Sequence, residues 1–156
     1  MQLSEHFTLE ELCVSSFADR RQIANMPTPA HLQNMQRFLA PGLEKVRALC
    51  GAAPITVTSA YRNPEVNRLV GGTATSDHPE GLCADIRSSR IASRDLATLI
   101  AAAMKAKKIL VDQLIYESGR DVVHVSFNPR GRGMMGHQPR GPGTPIDWTF
   151  FAGAGA

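Results

Sequence analysis

The chain predicts a single α+β domain in which a small, mostly antiparallel sheet is packed by about three to four helices. Three observations lead there. Segments 55–59 and 122–127 alternate apolar and polar side chains with the period of two that a half-buried strand requires. Two further stretches place apolar residues at helical spacing: Leu32, Met35, Phe38, Leu39, Leu43, Val46 and Leu49, then Leu96, Leu99, Ile100, Ala103 and Met104. The length, 156 residues, is that of one domain, and at this size roughly two thirds of the unfolded surface can be buried.

Taken in order, Thr8 and Glu11 form a capping box that opens a short helix ending near Cys13 or Val14. Residues 15–25 are polar and loop-like. Thr28 then caps a helix with Pro29 at its first position, and Gly51 stops it. Pro41-Gly42 is expected to kink or interrupt it. After Pro54 the strand at 55–59 delivers Tyr61 and Arg62 to its end, where a side chain can be held rigidly toward a cleft. Asn63 caps a short helix that begins at Pro64 and ends near Gly71-Gly72.

Pro79, Glu80 and Gly81 signal a turn, and Ala84-Asp85-Ile86 starts a strand. Ser93 caps a helix from about Arg94 to Lys107, with Lys105, Lys107 and Lys108 at the end where positive charge suits the helix dipole. Strands at 111–116 and 122–127 are joined by Ser118-Gly119-Arg120 as a hairpin. From Asn128 the composition turns to Pro, Gly and Arg, which argues against a regular element. The organisation expected is therefore a domain at 1–128 and an extension at 129–156, a flap or docking tail whose Ile146, Trp148, Phe150 and Phe151 would wrap the domain. His137 lies in this extension and is not assigned as a ligand. No internal repeat is present.

A formal charge of +3 is mildly basic and suits an anionic partner, but the basic residues are not clustered as in a nucleic-acid binder. No stretch approaches the roughly 20 apolar residues of a membrane helix, so membrane insertion is not expected. Residues 1–11 carry Glu5, Glu10 and Glu11 and no apolar run, so no secretory signal is read and a cytoplasmic location is expected. Three cysteines, Cys13, Cys50 and Cys83, form no disulfide framework and read as small buried apolar residues.

The chemistry concentrates in two segments. His78 and Asp85 stand seven residues apart across the turn, and Asp121 and His124 sit on the later strand. Catalytic zinc takes three protein ligands from His, Asp and Glu and leaves a fourth position open. His78, Asp85 and His124 make such a set, with Asp121 left over as a base. A His and an Asp near a turn more often serve as a cap and a solvated loop residue; the compound pattern with a downstream Asp-x-x-His raises the metal reading above that. Cys83 shares a strand face with Asp85, where a soft thiolate would compete for zinc.

Ser76-x-His78-x-x-Gly81-x-x-x-Asp85 followed by Asp121-x-x-His124 resembles the zinc peptidases of the D-alanyl-D-alanine carboxypeptidase type. That group includes VanX-like dipeptidases and phage L-alanyl-D-glutamate endopeptidases and shares its fold with the hedgehog signalling domain. The likeness extends to the segments Thr58–Pro64 and Val70–Gly72, and to the opening Leu3–Leu12, similar to small phage members; it covers roughly residues 3–128. Many small members carry Gln where Asp77 stands and Trp where Val122 stands.

The resemblance implies a Zn2+ cofactor on His78, Asp85 and His124, and hydrolysis of a peptide bond in peptidoglycan stem peptides, of the D,D-carboxypeptidase or L-Ala-D-Glu endopeptidase type. It assigns Arg62 to the substrate and the charge on the reacting carbonyl, with Tyr61 and Ser76 beside it as substrate-binding groups. Asp121 would act as base, with Glu117 as its competitor, because Asp121 and His124 should point to opposite faces of a strand unless a bulge intervenes. A phage or prophage wall-degrading enzyme of this kind would reach the wall by lysis, through a holin-type pore or as a virion component. A zinc-binding module that does not hydrolyse, and a peptidase of ordinary peptides, are the alternatives.

Overall fold

A computed structural model describes residues 1–153, so the last three residues of the expected extension lie outside the described residues. Its elements are α1 (Leu9–Leu12), α2 (Ser16–Arg20), α3 (Pro29–Asn34), α4 (Ala40–Leu49), β1 (Ile55–Ser59), α5 (Pro64–Leu69), β2 (Cys83–Ser88), α6 (Ser93–Lys105), β3 (Gln113–Glu117), β4 (Val122–Ser126) and β5 (Met134–His137). The strands form one sheet in the order β1-β2-β4-β3-β5. Every pairing is antiparallel except that of β3 with β5. This is the single α+β domain expected, with more and shorter helices. Among the described residues no helix is long and apolar enough to cross a membrane.

The register divides the sheet into two chemically different faces. Asp85 stands opposite His124, and His124 opposite Ile115. The alternate set, Ala84, Ile86, Leu114, Val123 and Val125, joins the core with Leu96, Ala97, Ile100 and Ala101 of α6 and Leu43 and Val46 of α4. Each Val, Leu or Ile among them taken fully out of water contributes about 1.5–3 kcal/mol. A one-residue slip of β4 would carry His124 into this core, so the apolar face holds the polar one in register.

The caps follow local chemistry. Thr8, Thr28 and Asn63 each accept a backbone N–H through the side chain at the starts of α1, α3 and α5. Ser15 does the same for α2, a helix within the stretch expected to be loop. Ser93 does not cap α6: it is the helix's first residue, and its hydroxyl donates to the Asp121 carbonyl at 3.1 Å. Pro41 does not break its helix. A π turn at Met35–Leu39 joins α3 to α4, and the Ala40 N–H reaches back to the Met35 carbonyl. This wider turn spares Pro41, which lacks an N–H, the contact an α-helix would force on it. Gly42 then lies against the Phe127 ring, where a Cβ would collide.

Residues beyond Asn128 correct the expectation that a Gly- and Pro-rich segment holds no regular element, because β5 lies there. It forms through pairing instead of its own propensity. The Met134 N–H donates to the Asp112 carbonyl at 3.0 Å and the Gln138 N–H to the Tyr116 carbonyl at 2.9 Å. Asp112, fully buried, accepts from the Arg130 Nε at 3.0 Å and from the Arg132 backbone N–H and guanidinium at 2.9–3.0 Å. Phe151 returns to the core, with Phe150 edge-on to it.

Candidate functional site

The polar face of the sheet opens into a cleft of about 420 Å3. Its floor is Asp85 of β2, His124 of β4 and Gln113, Ile115 and Glu117 of β3. One wall is the loop at 71–78, with His78 and Ser76, and the other is the segment at 130–146, with Arg130, Arg132 and Gln138. Arg62 and Arg120 also face the cleft.

His78, Asp85 and His124 come together at the centre. The Asp85 Oδ1 lies 3.1 Å from the His124 Nδ1 and 3.5 Å from the His78 Nε2, and the two rings stand 5.3 Å apart between centroids. The Nδ1 of His78 is 2.5 Å from the Ala60 carbonyl, an acceptor, so that nitrogen carries the hydrogen and Nε2 offers its lone pair to the cleft. The other oxygen of Asp85, Oδ2, has no hydrogen-bond partner although the residue is 1% exposed. The Arg120 Nη2 lies 3.6 Å from it. A buried carboxylate with one oxygen beside two imidazole nitrogens and the other without a hydrogen-bond partner is a donor set that suits a divalent cation such as zinc.

Burial disfavours the charged His78 ring and holds its pKa below the usual value. Burial also works against a charged His124, but the hydrogen bond and charge of Asp85 outweigh it and raise that pKa. Asp85 is held well below the carboxylate range: desolvation opposes its charge and the two imidazoles override it. His78 and Asp85 are therefore biased toward their deprotonated, ligating forms, and His124 toward the form whose proton a cation would displace.

Glu117 stands beside this set. Its carboxylate lies within 4.8 Å of ligand atoms of Asp85 and His124 and is 5% exposed. Burial, then the charge of Asp85, raises its pKa above the ordinary glutamate value. The Arg120 Nη1 reaches its Oε1 at 3.2 Å. Asp121 stands elsewhere. It is exposed, occupies the end of the β3–β4 turn with φ +53°, and does not line the cleft. Its carbonyl accepts from the Arg87 Nε at 2.8 Å and from Ser93, on the far side of the hairpin. The turn does not redirect the carboxylate as the sequence reading required.

The remaining expected groups divide. Arg62 lines the cleft, its Nε buried without a hydrogen-bond partner, and burial lowers its pKa. Ser76 lines the cleft too, and its hydroxyl accepts the His78 backbone N–H at 3.2 Å, which fixes the ligand's loop. Tyr61 does not reach the cleft: it is 2% exposed in the hydrophobic core, with its ring 5.9 Å from that of His31. Asp77, adjacent to His78, is fully engaged by Ser126 at 2.6 Å, Asn128 at 3.1 Å and Arg130 at 3.3 Å. It therefore anchors the loop instead of competing for a cation.

Cys83 is buried on the same face, and its Sγ forms a second cation-capable group with His78 and His124, all within 4.8 Å. Burial, then the charge of Asp85, pushes its thiol pKa well up. Sequence reasoning missed Arg120, Arg130, Arg132 and Gln138. The one sequence signal for Arg120 was its place three residues after Glu117, inside the hairpin turn.

Curated proteins offer no match to the chain. A family model does: residues 5–126, from the first turn to the end of β4, match the one described as peptidase M15. With His78, Asp85, Glu117 and His124 all inside that span, the chain belongs to the peptidase M15 family of zinc-dependent peptidases.

Proposed function

We propose that this protein is a zinc-dependent peptidase that hydrolyses a peptide bond in the stem peptides of peptidoglycan, in the manner of a phage or prophage wall-degrading enzyme. The observation that carries the reading is the convergence of His78 and His124 on the Oδ1 of Asp85, whose other oxygen has no hydrogen-bond partner, with the buried Glu117 beside them. His78 Nε2, the Asp85 carboxylate and the His124 Nδ1 would hold the ion. Bound there, zinc supplies Lewis acidity, polarising a carbonyl and making water acidic enough to lose a proton near neutral pH.

The protein's own groups do the rest. Glu117, not Asp121, takes the proton of the attacking water, because it is the acid that reaches the centre. As the C–N bond of the tetrahedral species breaks, Glu117 returns that proton to the leaving amine. Arg62 supplies a buried cation to the developing oxyanion. Ser76 and the Ala60 carbonyl keep His78 in place.

The substrate class is supported by charge and by resemblance. Four guanidinium groups, Arg62, Arg120, Arg130 and Arg132, line the cleft; the carboxylates Asp77, Asp85 and Glu117 and the buried Asp112 that pairs with Arg130 and Arg132 balance them, so a bound divalent cation would leave the cleft positive. Such a cleft favours a peptide bearing free carboxylates, as stem peptides do. The motif around His78 and the opening at 3–12 resemble the wall peptidases and their small phage members. Digestion of purified peptidoglycan followed by mass spectrometry tests the reading. New termini within the stem peptide, dependent on zinc, support it and identify the bond. Zinc binding without released amines, or cleavage of casein-like peptides alone, would contradict it.

A further inference from the structure

Two donor sets share one imidazole in this centre. Along the polar face of the sheet Cys83 is opposite Ser126, Asp85 is opposite His124, and Glu117 is opposite Val122. Cys83 therefore flanks the Asp85–His124 row on one side and Glu117 flanks it on the other. Asp85, Glu117 and His124 form a group with hard oxygen donors, whereas His78, Cys83 and His124 form one with a sulfur. Imidazole with carboxylate suits catalytic zinc, whereas a thiolate added to imidazole shifts preference toward softer cations.

We infer that Cys83 makes the centre a capture site for thiophilic divalent cations, cadmium above all, which bind through its sulfur together with the rings of His78 and His124. The inference rests on the proposed ligand set and extends it. It does not stand on the cysteine alone, because the Cys83 Sγ lies within 4.8 Å of ring nitrogens of both His78 and His124, three buried donors gathered at one point. A cation held there occupies the two imidazoles that the proposed zinc site needs. The cation displaces the thiol proton to solvent, and no oxidant or reductant takes part. Cadmium so bound blocks hydrolysis. Among the described residues neither Cys13 nor Cys50 joins a group able to hold a cation, so sulfur ligation identifies Cys83.

The test is X-ray absorption at the cadmium edge on the full chain loaded with stoichiometric Cd2+, for wild type, Cys83→Ala and Cys83→Ser. The inference predicts a sulfur neighbour in wild type that is absent from both variants. It also predicts that cadmium affinity falls roughly tenfold or more in the variants while zinc affinity changes little. Melting curves check that the variants fold, and the wild-type spectrum decides if one does not. Only nitrogen and oxygen neighbours in wild type, or sulfur persisting without Cys83, overturn this inference and leave the zinc reading standing. Failure of every form to bind either cation overturns both.

Discussion

His78 gives its Nδ1 hydrogen to the carbonyl of Ala60, and so turns Nε2 toward Asp85, 3.5 Å away. Ala60 directly follows β1, while His78 belongs to the loop before β2; the end of one strand thus sets the tautomer of a ligand presented by another segment. Replacing His78 or Asp85 with Ala is expected to lower zinc affinity by about a hundredfold or more. Chelator competition measures it, and a variant that keeps wild-type affinity would remove that residue from the ligand set.

Glu117 and Asp121 separate by mutation. Glu117→Gln keeps the shape of the side chain and removes the base, so kcat should fall by about 10²–10⁴ with zinc content unchanged. Asp121→Asn should leave kcat near that of the wild type, since its side chain is exposed at the turn. Steady-state kinetics with the metal content of each variant decides between them.

How far this site was legible in sequence depends on how local each relationship is. The spacing of His78 and Asp85, and the alternation around His124, are local, and they sufficed to nominate the three groups the fold brings together. The acid beside them was legible only as a competitor to Asp121, because its reach depends on the register of β3 against β4, where Glu117 pairs with Val122 and thereby shares a face with Ile115, the partner of His124. Tyr61 looked as available as Arg62, one residue on, yet it packs into the core. β5 was hidden because its stability comes from Asp112, Arg130 and Arg132 and from a neighbouring strand, not from its own Met-Met-Gly-His.

Arg62 is predicted to act on the transition state. Arg62→Ala should lower kcat/KM by roughly 10²–10³, and Arg62→Lys should restore little of it, because a point ammonium does not reproduce a planar fork of donors. Equal kinetics for the Lys variant and wild type would contradict that role.

Gly42 is predicted to hold the distance between α4 and the end of β4. Gly42→Ala improves helix propensity by about 0.5–1 kcal/mol, but its Cβ meets the Phe127 ring. Overpacking should prevail, with a net loss of roughly 1–3 kcal/mol. Urea unfolding measures it; a gain in stability would show that Phe127 moves aside freely.

Asp112 ties the C-terminal segment to the sheet, and acid should loosen it. Burial opposes its charge, but Arg132 and Arg130 overcome this and hold its pKa at about 2, below the ordinary carboxylate value. Its contribution is therefore present above about pH 4 and lost as pH falls through about 2. With both arginines partly exposed, a contribution of about 1–2 kcal/mol is expected. Asp112→Asn should flatten the acid limb of a stability–pH curve; an unchanged limb would exclude this latch.

The ligand set itself is tested most directly by anomalous diffraction at the zinc edge from a crystal grown with zinc. The account predicts one strong peak in the cleft, within bonding distance of the His78 Nε2, the Asp85 carboxylate and the His124 Nδ1. A peak elsewhere, or those three groups turned apart in zinc-saturated crystals, would contradict it.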